Sequence, residues 1–262
     1  SAEDIHKMQE KYSGRIPGAN LHYKDAVELV TEGASEVCLV VEQDVMACRS
    51  RNVVARIEGT DKKDEILTIT AHYDSVPEGP GAYDNMAGAA IIMELCRYFQ
   101  QYRPRRTMEF VWFGAEEKGL LGSRDYIRVH ESELGAHRFN MNVDLAGQLI
   151  GGNVLGVTGE ASVCDKLLEI ADGAGIGASV KNQIWGSDSN SFAWKGIPAM
   201  TLNRDGFGMH TRYDTIDLLS AWSLERSAIL LGCIADALGN AEVFPFERKM
   251  PEKFIGELDE YM

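Results

Sequence analysis

Short β-branched and apolar runs bounded by turn formers recur along this chain, and they alternate with stretches whose apolar residues return every three or four positions. The runs at 37–41, 53–57, 66–71, 107–113, 139–145, 153–157 and 199–202 predict strands. Helical spacing predicts helices over about 86–99, 120–129, 161–171, 189–194 and 223–238; in the first of these, Ile91, Ile92, Leu95 and Phe99 share one face. Strands alternating with helices predict an α/β fold, a three-layer α/β/α sandwich around a mixed, mostly parallel central sheet. The first 36 residues fit this plan poorly. They are polar, contain Gly14, Pro17 and Gly18, and end in a helix-like stretch over 23–31. The expected organisation is therefore an N-terminal arm or domain remnant over 1–36 and one domain over 37–262. The tail from Phe244, charged with scattered aromatics, is expected to pack against that domain.

A chain of 262 residues buries a sizeable core without disulfides or structural metals. No apolar run approaches the roughly 20 residues of a membrane helix. The start, SAEDIHKMQEKYSG, lacks a basic-then-apolar leader. Its missing initiating methionine points to a trimmed N-terminus. The net charge of −14 argues against nucleic acid, whose phosphates need an excess of Lys and Arg. It suits a cationic partner such as a free peptide amine, although solubility accounts for most of it. Cys38, Cys48, Cys96, Cys164 and Cys233 are odd in number and never form a CxxC pair, so most of them read as small buried hydrophobes. Free thiols without a leader favour the cytoplasm, with export as the expectation if a native leader has been removed.

Five places carry chemistry. The run ILTITAH ends in His72, with Asp74 two positions on and on the same strand face, the spacing of an imidazole steadied by a carboxylate; a surface hydrogen bond is the plainer reading. Asp84, in the turn GAYDN, is either a helix cap or a carboxylate bridging two cations. Glu116 and Glu117 follow the apolar strand TMEFVWFG. They either open the next helix or divide two tasks at one water, Glu117 as a ligand and Glu116 as general base. Asp144 ends the run FNMNVDLA, and His210 sits in the Gly-rich loop GFGMHTRYDT. Each signal is weak alone. Together they fall at strand ends or neighbouring loops, so one sheet edge can gather them. Two divalent cations, the three carboxylates Asp84, Glu117 and Asp144 and one hydroxide cancel in charge, which allows a partly buried site. Such ligands suit zinc, with manganese or cobalt as possible substitutes.

The ordered series AHYDS, GAYDN-x-AG, GAEEKGLLGS, NVDLAG, SDSNSF, GIPAM and MHTRYDT, running from about residue 50 to 238, resembles the co-catalytic di-zinc aminopeptidases, metallopeptidase family twenty-eight. The resemblance implies a zinc-peptidase-like fold and two Zn²⁺ ions: His72 and Asp144 on one, Glu117 and His210 on the other, Asp84 bridging. It implies Glu116 as the catalytic base acting on a metal-bridging water, Asp74 orienting His72, and a cis bond after Asp84. The expected activity is removal of the N-terminal residue from peptides with a free N-terminus. Carboxypeptidase, aminoacylase or glutaminyl cyclase chemistry and a non-catalytic receptor role are the alternatives. Two departures stand out. Some relatives carry tyrosine where this chain has Met209, and the histidine of their SDH motif is Ser189 here. Residues 14–30, GRIPGANLHYKDAVELV, resemble the tail of a protease-associated domain.

Overall fold

The computed structural model describes residues 21–40 and 46–262, and the chain divides into two units after Arg49. In the first unit, helix α1 (Tyr23–Thr31) forms where the spacing placed it, and the Nδ1 of His22 accepts a hydrogen bond from the Lys24 amide at 3.3 Å. The strand expected over 37–41 is absent from 37–40, and Val41 lies outside the described residues. Val37 and Val40 are exposed, and among the described residues no neighbouring strand takes their amides. A β-branched run becomes a strand only where a ladder and a packing face are supplied.

The second unit holds a seven-stranded sheet. Its strands are β1 (Val53–Ile57), β2 (Lys62–His72), β3 (Arg106–Phe113), β4 (His137–Val143), β5 (Asn153–Thr158), β6 (Ala178–Asn182) and β7 (Ala199–Arg204). Their spatial order is β1-β3-β2-β4-β7-β5-β6. The β3–β2, β2–β4, β4–β7 and β5–β6 pairs are parallel, whereas β1–β3 and β7–β5 are antiparallel. The sheet is mixed and mostly parallel, as predicted. Around it lie α2 (Ala87–Gln101), α3 (Leu121–Val129), α4 (Ala161–Gly173), α5 (Ser189–Trp194), α6 (Ala221–Asn240) and α7 (Glu252–Tyr261). Strand β6 and helix α7 went unpredicted. In β6 the sequence ASVKN offers one β-former on a half-exposed edge, and in α7 only Phe254 and Leu258 are buried.

The two faces of the sheet differ in chemistry. Leu67, Ile69, Phe110, Met141, Leu155 and Leu202 pack with α2, α4 and α6 in the main apolar core. Because successive side chains in a strand alternate, Thr68, Thr70, His72, Glu109, Asn140 and Asn142 point the other way, and all are buried. Small clusters around Phe113, Tyr126 and Phe192, and around Phe254 and Leu258, cover that second face with α3, α5 and α7. Buried polar groups need partners, and these find them laterally. Thr68 Oγ1 lies 2.7 Å from His137 Nδ1, Thr70 donates to Asn142 at 2.8 Å, and Asn142 Nδ2 donates to Ser187 Oγ at 2.7 Å. The chain of bonds climbs toward the carboxyl ends of the parallel strands.

Only Cys96 of the five cysteines is buried; Cys164 and Cys233 are half-buried, and Cys38 and Cys48 are exposed. The reading of most of them as core residues is therefore corrected. The tail does close the core: Phe246 meets Phe139 of β4 at 5.2 Å and Phe244 at 5.6 Å, and the Arg106 guanidinium lies 5.2 Å from the Phe244 ring. Replacing buried Phe246 by alanine is expected to cost about 3–5 kcal/mol, read as a lowered midpoint in urea unfolding.

Candidate metal centre

Four strands, β2, β3, β4 and β7, run parallel, so their carboxyl ends share one edge. In open α/β sheets that edge is where sites collect. β2 ends in His72 and leads to Asp74 and Asp84; β3 leads to Glu116 and Glu117; β4 leads to Asp144; and the loop leaving β7 carries His210. All seven residues singled out in the sequence meet here. The Nε2 of His72 lies 3.1 Å from Asp84 Oδ1 and 3.4 Å from Asp144 Oδ1. The Nε2 of His210 lies 3.0 Å from Asp84 Oδ2 and 3.0 Å from Glu117 Oε2. A carboxylate oxygen of Glu116 falls within 4.8 Å of the His72 and Asp144 donor atoms.

These distances suit cations better than hydrogen bonds. One imidazole N–H cannot aim well at two oxygens on different residues. Two donors each about 2.0–2.1 Å from a tetrahedral zinc ion, however, stand about 3.3 Å apart. Asp84 offers one oxygen to each group, as a bridging carboxylate would. Glu117 Oε1 is buried with no partner among the described residues, a spare lone pair beside the same group. The donor set, imidazole with carboxylate, fits zinc. His72, Asp144 and Asp84 could hold one ion, and Asp84, Glu117 and His210 the other.

The surroundings fix these side chains. His72 Nδ1 donates to the Asp74 backbone carbonyl at 3.1 Å, leaving Nε2 free for a metal, while the Asp74 carboxylate stands 3.6 Å from Nδ1. That carboxylate instead accepts the amides of Glu116 at 3.0 Å and Glu117 at 3.3 Å. Asp74 thus positions the β3 loop more directly than it orients His72. Ser187 donates to Asp144 Oδ2 at 2.6 Å, at the end of the polar chain through Asn142 and Thr70. The bond between Asp84 and Asn85 is cis. Asn85 is buried, donates to the Val143 carbonyl at 2.7 Å and accepts from the Gly88 amide at 3.1 Å. A Cβ on Gly88 would sit 2.4 Å from the Asn85 Oδ1, which explains the glycine at the start of α2.

Besides Ser187, a second residue that matters was passed over in the sequence. Buried Asp214 accepts the Tyr83 amide at 2.6 Å and the Asp84 amide at 3.0 Å, stitching the His210 loop to Asp84. Nothing in the stretch RYDT separates it from a surface Asp. Ala115, Leu145 and His210 adopt left-handed backbone, with φ of 61°, 64° and 58°. Each costs about 1–3 kcal/mol and is held only where the surroundings over-determine it. All three are, or adjoin, the residues of the centre.

Electrostatics carry the same message. Burial lowers the pKa of His72, but Asp144, Asp74 and Asp84 outweigh it and raise it well above the usual imidazole value. Bonds to Asp84 and Glu117 push His210 up to about 10. Asp84 resists the upward pull of its burial and, held by both histidines, falls to about 2. Burial, with Asp188, Asp144 and Glu117 nearby, raises Glu116 well above the carboxylate range. Asp188, fully buried with both oxygens unpartnered among the described residues, is pushed by burial up to about 7. Without cations, protons on His72, His210, Glu116 and Asp188 balance the ionised carboxylates, and divalent cations could take the place of those protons.

Residues 52–232 match peptidase family M28, and the chain belongs to that family. It is 30% identical over 161 residues to aminopeptidase YwaD of Bacillus subtilis, covering 61% of this chain and 32% of that one. It is 26% identical over 241 residues to carboxypeptidase Q of Rattus norvegicus, covering 87% of this chain and 51% of that one. Among solved structures it resembles BSAP, a zinc aminopeptidase from Bacillus subtilis, with a TM-score of 0.67 and 26% identity over 77% of this chain and 53% of that one. The chain therefore spans about a third to a half of the length of these curated relatives.

Replacing Asp214 by alanine frees the Asp84 amide, and zinc affinity is expected to fall about 10–100-fold, the scale of lost supporting bonds, in competition with a chromogenic chelator. In metal-free protein the raised His210 pKa gives stability that is fully present below about pH 6.5 and lost as pH rises through about 10. Its Tm should decline across that window, a loss shared with His72, and His210→Gln should flatten the decline. Zinc must displace the same protons, so affinity should climb with pH over the same range.

Proposed function

We propose that this domain hydrolyses the first peptide bond of peptides with a free N-terminus, using two zinc ions shared through Asp84. The observation that carries this reading is the paired convergence of His72 and His210 on the two oxygens of one carboxylate, with Asp144 and Glu117 completing each side at 3.0–3.4 Å. Zinc in such a site supplies Lewis acidity toward a carbonyl oxygen and toward water.

Glu116 is then the proton carrier. It takes a proton from the attacking water and returns it to the leaving amine as the C–N bond breaks. Its place is set by Asp74, which holds its backbone amide, and by the left-handed turn at Ala115. A free α-amine, the feature that marks an unblocked N-terminus, would offer its lone pair to one of the two ions. Phe207, Met209 and Tyr213 flank His210 and are exposed, offering apolar surface to a peptide.

Carboxypeptidase action is the second reading, because the rat carboxypeptidase Q aligns over 87% of this chain. Aminoacylase-like chemistry is less well supported. Relatives of that kind usually carry an acid where this chain has Asn85, whose amide donates to the Val143 carbonyl, a bond that an ionised carboxylate cannot make. Assaying aminoacyl-anilides, N-acetylated peptides, C-amidated peptides and N-terminal glutamine peptides side by side separates these activities. Turnover that requires a free amine and tolerates a blocked carboxyl supports the aminopeptidase, and the reverse pattern supports the carboxypeptidase. Glu116→Gln should keep its zinc by elemental analysis while kcat drops about 10²–10⁴-fold, the range for lost general acid–base catalysis. A near-normal rate would refute the role given to Glu116.

A further inference from the structure

Helices α2 and α6 lie side by side on the apolar face of the sheet, and between their outer surfaces runs an open groove of about 630 Å³. Its floor is apolar, made by Ile91 and Leu95 of α2 with Leu224, Ala228 and Gly232 of α6. Gly232 keeps the floor low, since a Cβ there would lie 3.2 Å from Leu95 Cδ2. Tyr98 and Ile229 form opposite walls, 41% and 43% exposed. Glu94, Glu225 and Asp236 stand along the rim. Glu94 is paired with Arg97, but Glu225 and Asp236 have no basic partner among the described residues.

We propose that this groove is a docking site for an amphipathic helix with basic flanks, carried by another polypeptide. The walls are helices whose backbone groups are bonded within themselves. They offer no strand edge, and an extended peptide would bury amides with nothing to pair them. A helix brings its own backbone bonds and needs only an apolar stripe. The groove runs from Ala90 to Tyr98 on one side and from Leu224 to Asp236 on the other, about 12 and 18 Å at 1.5 Å per residue. That length fits two to three turns, with anchors at i, i+3, i+4 and i+7. The acidic rim selects lysine or arginine beside those anchors. It also disfavours a second copy seated groove to groove, which would set the same acids against each other.

The probe is an N-acetylated, C-amidated 18-residue peptide with leucine at helical spacing and lysine elsewhere, titrated by fluorescence anisotropy into the zinc-loaded protein. The acetyl group keeps it from serving as an aminopeptidase substrate. Saturable binding is expected, at least 10-fold weaker for Ile229→Lys and for the double variant Glu225→Lys, Asp236→Lys. A peptide with glutamate in place of lysine should bind at least 10-fold more weakly as well. Both variants alter exposed side chains away from the metal centre, so peptidase turnover should be unchanged and serves as the check on folding. Absence of binding would overturn the proposal, as would equal binding of a scrambled peptide of the same composition, or binding indifferent to Ile229→Lys. So would sedimentation showing a dimer that Ile229→Lys dissolves, because a second copy would then fill the groove.

Discussion

Asp84 faces one imidazole with each of its two oxygens, and much of the second unit serves to make that arrangement tolerable. Carboxylates crowded into a buried edge repel one another and resist desolvation. Here they are held by groups that cannot drift: amides of the β3 loop on Asp74, Ser187 on Asp144, and Asp214 gripping the amide of Asp84 itself. The polar face of the sheet is part of the same solution. Thr70 and Asn142 occupy positions that an ordinary core would give to aliphatic residues, and they carry the support up to Asp144 through Ser187.

Much of this was legible in the chain. Strand-end positions are visible because an apolar run stops abruptly at a charged residue, as at His72, Glu116 and Asp144. A parallel sheet then gathers those ends without further information. The strands at 66–71, 107–113 and 139–145 declared themselves because both of their faces are buried. The edge strand β6 and the helix α7 did not, since each buries little and so leaves no periodic signal. The run at 37–41 misled in the opposite direction: its residues favour a strand, but a strand also needs a neighbour. Asp214 and Ser187 were hidden for another reason. Their work is done through backbone amides and one carboxylate oxygen, partners that no spacing rule connects across more than forty residues.

On the proposed reading, the donors govern the kind of bond cut rather than which end of a peptide is cut. Relatives called aminopeptidase and carboxypeptidase align over 61% and 87% of this chain, so their alignments overlap on it, and that choice must be made by surfaces around the donors. Two loops beside the donors are joined to each other. The turn before β5 and the loop after β7 meet through Gln148, whose side chain donates to the Phe207 carbonyl at 2.6 Å and accepts from the Phe207 amide at 3.1 Å. The buried Arg204 guanidinium adds a bond to the Gln148 carbonyl at 2.6 Å.

The reversal of direction between β7 and β5 has a consequence for how such a protein can change over time. Every donor is delivered by strands of one polarity, whereas β5 and β6 point their carboxyl ends away from the centre. That half of the sheet reaches the centre through two connections, the turn entering β5 with Gln148 and the segment leaving β6, which brings Ser187 to Asp144. Insertions or exchanges in the turn entering β5 can therefore reshape the rim while the donors keep their geometry. The fold separates a part that must be inherited intact from a part that is free to diversify.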